Sequence, residues 1–155
     1  MLHFTRKIDQ SPEAVPTVTL TRDQRLRSRL RVVLDDGREA GILLPRGTTL
    51  RDGDGLMSED GLVVRVRAAA ECLSRADCTD PLVLARVCYH LGNRHVAVQI
   101  EPGRLSYLHD HVLDDLVRGL GLLVVVDHGP FEPESGAYGG QSHAHAHAHG
   151  HAHDH

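Results

Sequence analysis

The sequence predicts an α+β protein in three parts: a small antiparallel β domain over residues 1–70, a ferredoxin-like βαββαβ domain over 71–142, and a disordered histidine-rich tail over 143–155. Three observations predict it. The first 70 or so residues are rich in strand signals and carry no convincing helix; beyond them, two stretches with helical apolar spacing are flanked by short apolar runs; and the last thirteen residues, HAHAHAHGHAHDH, have too little apolar surface to offset their ordering entropy. A length of 155 residues suits one domain or two small ones, and 41% hydrophobic with 25% charged residues is the composition of a chain that folds.

From Arg25 to Leu34 the chain alternates, with Leu26, Ser28, Leu30, Val32 and Leu34 on one side and Arg25, Arg27, Arg29 and Arg31 on the other. This predicts a half-buried strand with a basic outer face. Two readings of that face stand: a solvated surface that resists aggregation, the commoner case, or a dock for an acidic partner. Asp35-Asp36-Gly37 supplies turn chemistry, and Ala40 to Leu44 returns as the second strand of a hairpin. Asp52-Gly53-Asp54-Gly55 opens like a calcium loop but lacks the third acidic position and the closing glutamate, so a plain turn is expected before a strand at Leu62 to Val66.

In the second domain Glu71 to Ala76 is the first strand. Thr79 or Asp80 caps a helix that starts at Pro81, carries Leu84, Val87, Cys88 and Leu91 on its apolar stripe, and stops at Gly92. Val96 to Ile100 and Arg104 to Leu108 read as strands joined across Pro102-Gly103. A second helix runs from about Asp110 to Leu120, with Leu113, Leu116, Val117 and Leu120 inward and Gly121 as terminator. Leu122 to Val126 closes the β-α-β-β-α-β order, the split βαβ arrangement of ferredoxin-like folds.

Several function classes are excluded by arithmetic. Seventeen Lys and Arg against 21 Asp and Glu give a formal charge of −4, and aromatics are 3%, so neither a basic field nor a stacking surface for nucleic acid exists. The longest apolar run, Leu122 to Val126, is far too short to span a bilayer, and the first residues lack the apolar stretch of a signal peptide. No membrane association is expected, and the expected location is the cytoplasm. Cys72, Cys78 and Cys88 include no C-x-x-C pair and read as reduced, structural thiols.

Histidine is the conspicuous residue: there are 13, seven of them at positions 143, 145, 147, 149, 151, 153 and 155. His143, His145, His147, His149, His151, His153 and His155 offer many two-point chelates to zinc, copper or nickel, but a flexible run selects among them only by the intrinsic affinity order. A fixed site needs a fixed ligand. His95, in the turn after the first helix, and His109 with His111, at the start of the second, are the candidates in the body of the protein. On the expected helix His109 falls on the Leu113 and Leu116 side and His111 on the polar side with Asp115 and Arg118. After His109-Asp110-His111 the acids Asp114 and Asp115 are off the spacing of a two-metal hydrolase and its third histidine is missing, and no nucleophile with a paired base occurs, so the protein is not expected to be an enzyme.

YHLGNRHVAVQI (89–100), LHDHVLDDLVRGLG (108–121), PFEPESGAYG (130–139) and the terminal histidines, in this order, resemble the UreE family of urease accessory nickel metallochaperones. The likeness covers the second half closely and the first half in type. It implies a homodimer formed through the ferredoxin-like domains, an N-terminal domain like a chaperone's peptide-binding module, and His95 as the central nickel ligand, one from each chain. His109 and His111 correspond to auxiliary ligands. Ala97 departs from the proline common after GNRHV in the family, a difference that touches strand stiffness and not ligation. The resemblance further implies delivery of Ni(II) to a UreG-type GTPase and the urease apoprotein complex, with Zn(II) or Cu(II) able to occupy the same sites. A histidine-rich buffer or store for nickel or zinc is the alternative.

Overall fold

The computed structural model describes residues 1–136, so the candidate ligands His143 to His155 lie outside the described residues. The chain divides into two compact units, Met1–Ala68 and Ala69–Glu134, each with its own apolar cluster. The architecture is α+β, with a mixed sheet and few helices.

The first unit is built from β1 (Leu2–Ile8), β2 (Thr17–Leu20), a single-turn helix α1 (Arg22–Arg25), β3 (Arg29–Val33), β4 (Glu39–Leu43), β5 (Gly55–Ser58) and β6 (Val63–Ala68). The strands form one sheet in the order β2-β6-β5-β1-β4-β3. Phe4, Val18, Leu20, Ile42, Leu56, Val64 and Val66 lie wholly buried in its cluster. Contrary to the expected antiparallel domain, the sheet is mixed, because β1 pairs with β4 and β2 with β6 in parallel. Side-chain alternation has the same period in either direction, so it carries no information on strand polarity.

Arg25 corrects a second expectation. It is not on an exposed strand face but ends α1, fully buried, with its Nε donating to the Leu20 carbonyl at 3.3 Å. Thr21-x-x-Gln24 forms a capping box: Thr21 Oγ1 accepts from Gln24 N at 3.2 Å and Gln24 Oε1 from Thr21 N at 2.9 Å. Only Arg29 and Arg31 display the basic face on β3 itself, and Arg31 pairs with Glu39 at 3.5 Å. In the Asp52 to Gly55 turn, Asp52 Oδ1 accepts from Ala68 N and Asp54 Oδ2 from Arg51 N, both at 2.8 Å. Those carboxylates fasten the turn.

The second unit runs β7 (Ala70–Asp77), α2 (Pro81–Asn93), β8 (Gln99–Glu101), β9 (Arg104–Leu108), α3 (His111–Gly119) and β10 (Val125–Pro130). Its sheet is antiparallel throughout, in the order β10-β7-β9-β8. Ala76, Leu105 and Tyr107 from the strands meet Val87 and Leu91 of α2 and Val117 of α3. Each buried leucine or valine among them stabilises the fold by roughly 1.5–3 kcal/mol. β8 and β10 begin three residues later than the apolar runs suggest. Val96, Leu122 and Val124 pack on this cluster from the connections that precede the strands, so the runs mark burial and not extension.

Candidate metal centre

His95 owes its position to the way α2 ends. Asp80 caps the start, its side chain accepting from Leu82 N at 2.9 Å, and Pro81 occupies the first turn, where its missing N–H is harmless. The helix does not stop at the expected Gly92. It continues to Asn93, and the left-handed residue that turns the chain is His95, at φ 63°. His95 N donates to Gly92 O at 2.9 Å and Val96 N to Leu91 O at 3.1 Å, the paired bonds of a Schellman motif, with Val96 packed on the Leu91 cluster. The side chain is exposed. Left-handed backbone costs a residue with a Cβ about 1 kcal/mol, and glycine usually takes the place.

His109 and His111 flank Asp110, which is committed to the backbone: its Oδ1 accepts from Val112 N at 2.8 Å and Leu113 N at 3.3 Å, capping α3. His111 is therefore the first helical residue and is exposed. His109 lies before the cap and not on the helix, which corrects its expected place on the Leu113 side. Its N–H donates to Cys72 O of β7 at 3.0 Å, and its Nδ1 stands 3.0 Å from Ser74 Oγ and 3.2 Å from Asp114 Oδ2.

Asp114 was not singled out by the sequence. It is 2% exposed, and its Oδ1 accepts from the buried Tyr107 hydroxyl at 2.7 Å. Burial first, and the bond to Asp114 second, push the Tyr107 phenol far above its usual value, so it serves Asp114 only as a donor. A signal existed: Asp114 sits three residues before Val117, on the inward face of α3.

The Ser74, His109 and Asp114 set does not make a hydrolytic triad. Both partners meet the same ring nitrogen, whereas a relay needs the base and its orienting acid on opposite nitrogens, and Ser74 is fully buried. Burial, with the Glu134 charge second, raises the Cys88 thiol above its ordinary value, and the Cys78 thiol donates to Asp80 O at 3.3 Å. Among the described residues no three His, Cys, Asp or Glu side chains are grouped to hold a metal. His95, His109 and His111 are thus placed on the second unit's surface at two helix ends, without forming one three-ligand cluster.

Comparison with known proteins gives a consistent result. Residues 2–69 match the model of the UreE urease accessory protein N-terminal domain, and residues 71–155 that of its C-terminal domain. A urease accessory protein UreE of Pseudomonas putida (strain W619) is 58% identical over 145 residues, covering 93% of this chain and 90% of its own. One from Escherichia coli O157:H7 is 54% identical, covering 93% and 94%, and one from Proteus mirabilis (strain HI4320) is 55% identical, covering 90% and 92%.

Proposed function

The chain belongs to the UreE family of urease accessory proteins, and we propose that within urease maturation it is a metallochaperone that captures Ni(II) as cargo and delivers it for assembly of the urease active site. It is a chaperone of that enzyme and not the enzyme. The observation that carries the reading is His95: an exposed imidazole on a left-handed backbone position that glycine usually takes, in the turn that ends α2.

One His95 is an incomplete site, and a two-fold axis would let a second chain supply another imidazole. The outer face of α2 supports the same homodimer, since Leu82 and Tyr89 are 58% and 68% exposed there. The β-α-β-β-α-β order and β10-β7-β9-β8 sheet support a ferredoxin-like reading of this unit. We assign residues 71–142 to dimerisation and metal binding, residues 1–70 to docking on other proteins as a peptide-binding-like module, and residues 143–155 to metal capture. His109 and His111 hold additional metal, and the seven tail histidines complete or feed the His95 site. Zn(II) and Cu(II) compete for these imidazoles. The recipient is a UreG-type GTPase acting with the urease apoprotein complex in the cytoplasm.

Incomplete coordination suits a carrier, because open positions let ligands exchange. Nickel titration of His95→Ala beside the wild-type chain tests this. The variant should lose the tightest nickel class by at least about 100-fold and keep the weaker uptake of the tail. Unchanged tight binding would contradict the assignment.

A further inference from the structure

His109 and His111 are equivalent in the sequence motif, but the fold treats them differently. Among the described residues no hydrogen bond orients the His111 ring, whereas the Nδ1 edge of His109 lies against Ser74 and Asp114. His109 keeps 37% of its side chain exposed, and because its Nδ1 has neighbours in Ser74 and Asp114, Nε2 is the nitrogen left to meet a metal.

The chemistry of Asp114 bears on which nitrogen holds the hydrogen. A carboxylate only accepts, and one of its oxygens is already served by the Tyr107 hydroxyl. The other, Oδ2, lies 3.2 Å from His109 Nδ1, within reach of a hydrogen held on that nitrogen. Nδ1–H on a neutral imidazole leaves the lone pair on Nε2, and a histidine ligand held through its second nitrogen by a carboxylate is a recurrent way of fixing ring and tautomer together.

We propose that Asp114 is a positioning residue that locks His109 as the Nδ1–H tautomer, so that His109 presents Nε2 to the metal cargo preorganised while His111 closes on it from the flexible side. This rests on the reading of His109 as a metal ligand. The consequence is an asymmetric pair. His109 loses little freedom on binding and sets the affinity, and His111 adds a second, weaker bond.

The test is site-resolved NMR of the ring nitrogens in the full-length chain, with His109 signals assigned by their absence in His109→Gln. In the metal-free wild type, the hydrogen should be on Nδ1. Added Ni(II), which is paramagnetic, should broaden the His109 signals once the tighter His95 class is filled. In Asp114→Asn the amide can donate to Nδ1, so the hydrogen should move to Nε2, and broadening should need roughly 10- to 100-fold more free nickel. Tyr107→Phe separates positioning from packing. It removes a buried hydrogen bond and lowers the melting temperature, yet should leave the tautomer and the nickel dependence of His109 within about twofold of wild type. A wild-type ring with hydrogen on Nε2, or a Tyr107→Phe chain that changes as much as Asp114→Asn, would overturn the inference. A ring found as Nδ1–H whose signals nickel leaves untouched would instead remove His109 from the metal centre, and the reading beneath it.

Discussion

The two helices of the second unit end in the same hydrogen-bonded motif and differ in the residue that makes the turn. After α3, Gly121 takes the left-handed position at φ 105°, with Gly121 N donating to Arg118 O at 2.9 Å and Leu122 N to Val117 O at 3.3 Å. After α2, His95 takes it at φ 63° with the same pair of bonds. In each case the following apolar residue, Leu122 or Val96, packs onto the shared cluster. Geometry alone is served by glycine. The difference teaches that stopping a helix does not by itself call for a histidine at the end of α2, and the proposed ligand role of His95 starts from that exposed imidazole.

The comparison can be broken in several ways, and the largest effect expected is on metal. Loss of the tightest nickel class in His95→Ala would separate the two ends by function. Next comes Gly121→Ala, whose added Cβ meets nothing within 4 Å, so only the backbone conformation is at stake. It should cost about 1 kcal/mol and lower the melting temperature of the unit by roughly 4–8 °C, without touching nickel binding. A thermal melt unchanged by that substitution would mean that the left-handed position carries no penalty here.

The smallest effect sets the pH range in which such melts are clean. The Arg104 guanidinium, whose Nε lies 2.7 Å from Asp77 Oδ1, holds the Asp77 carboxyl below its usual 3.8. A lowered carboxylate contributes stability that is complete above its unfolded pKa and is lost as the pH falls through the folded value. Asp77→Asn should therefore differ slightly from wild type near neutrality and converge with it in strong acid. Because the pair is exposed, the gap should be small. A gap that widens on acidification would reverse the sign of this account.

Much of this was legible in the chain and some of it could not be. Asp80-Pro81 and Gly121 announce helix ends, because capping chemistry is local, and β9 spans the expected Arg104–Leu108. Gly92 misleads for a physical reason. A helix stops where the left-handed turn falls, and only the packing of Val96 on Leu91 places it three residues later at His95. The parallel pairing of β1 with β4 was hidden because alternation has no direction. The run of alternating arginines masked a capping box at Thr21 that puts Arg25 inside. At the site, the histidines were conspicuous by type and spacing. Asp114 was not, since a carboxylate on the inward face of α3 becomes meaningful only when β7 and β9 bring Ser74 and Tyr107 to it.

The central claim is that His95 occupies a glycine's place for the sake of its ring, and His95→Gly tests it most directly. Nickel affinity and thermal unfolding would be measured on the same metal-free preparations of variant and wild type. The account predicts opposite movements: the tightest nickel class is lost, and the metal-free fold gains about 1 kcal/mol as the left-handed strain is relieved. A variant that keeps tight nickel binding, or whose metal-free fold is destabilised, would contradict it.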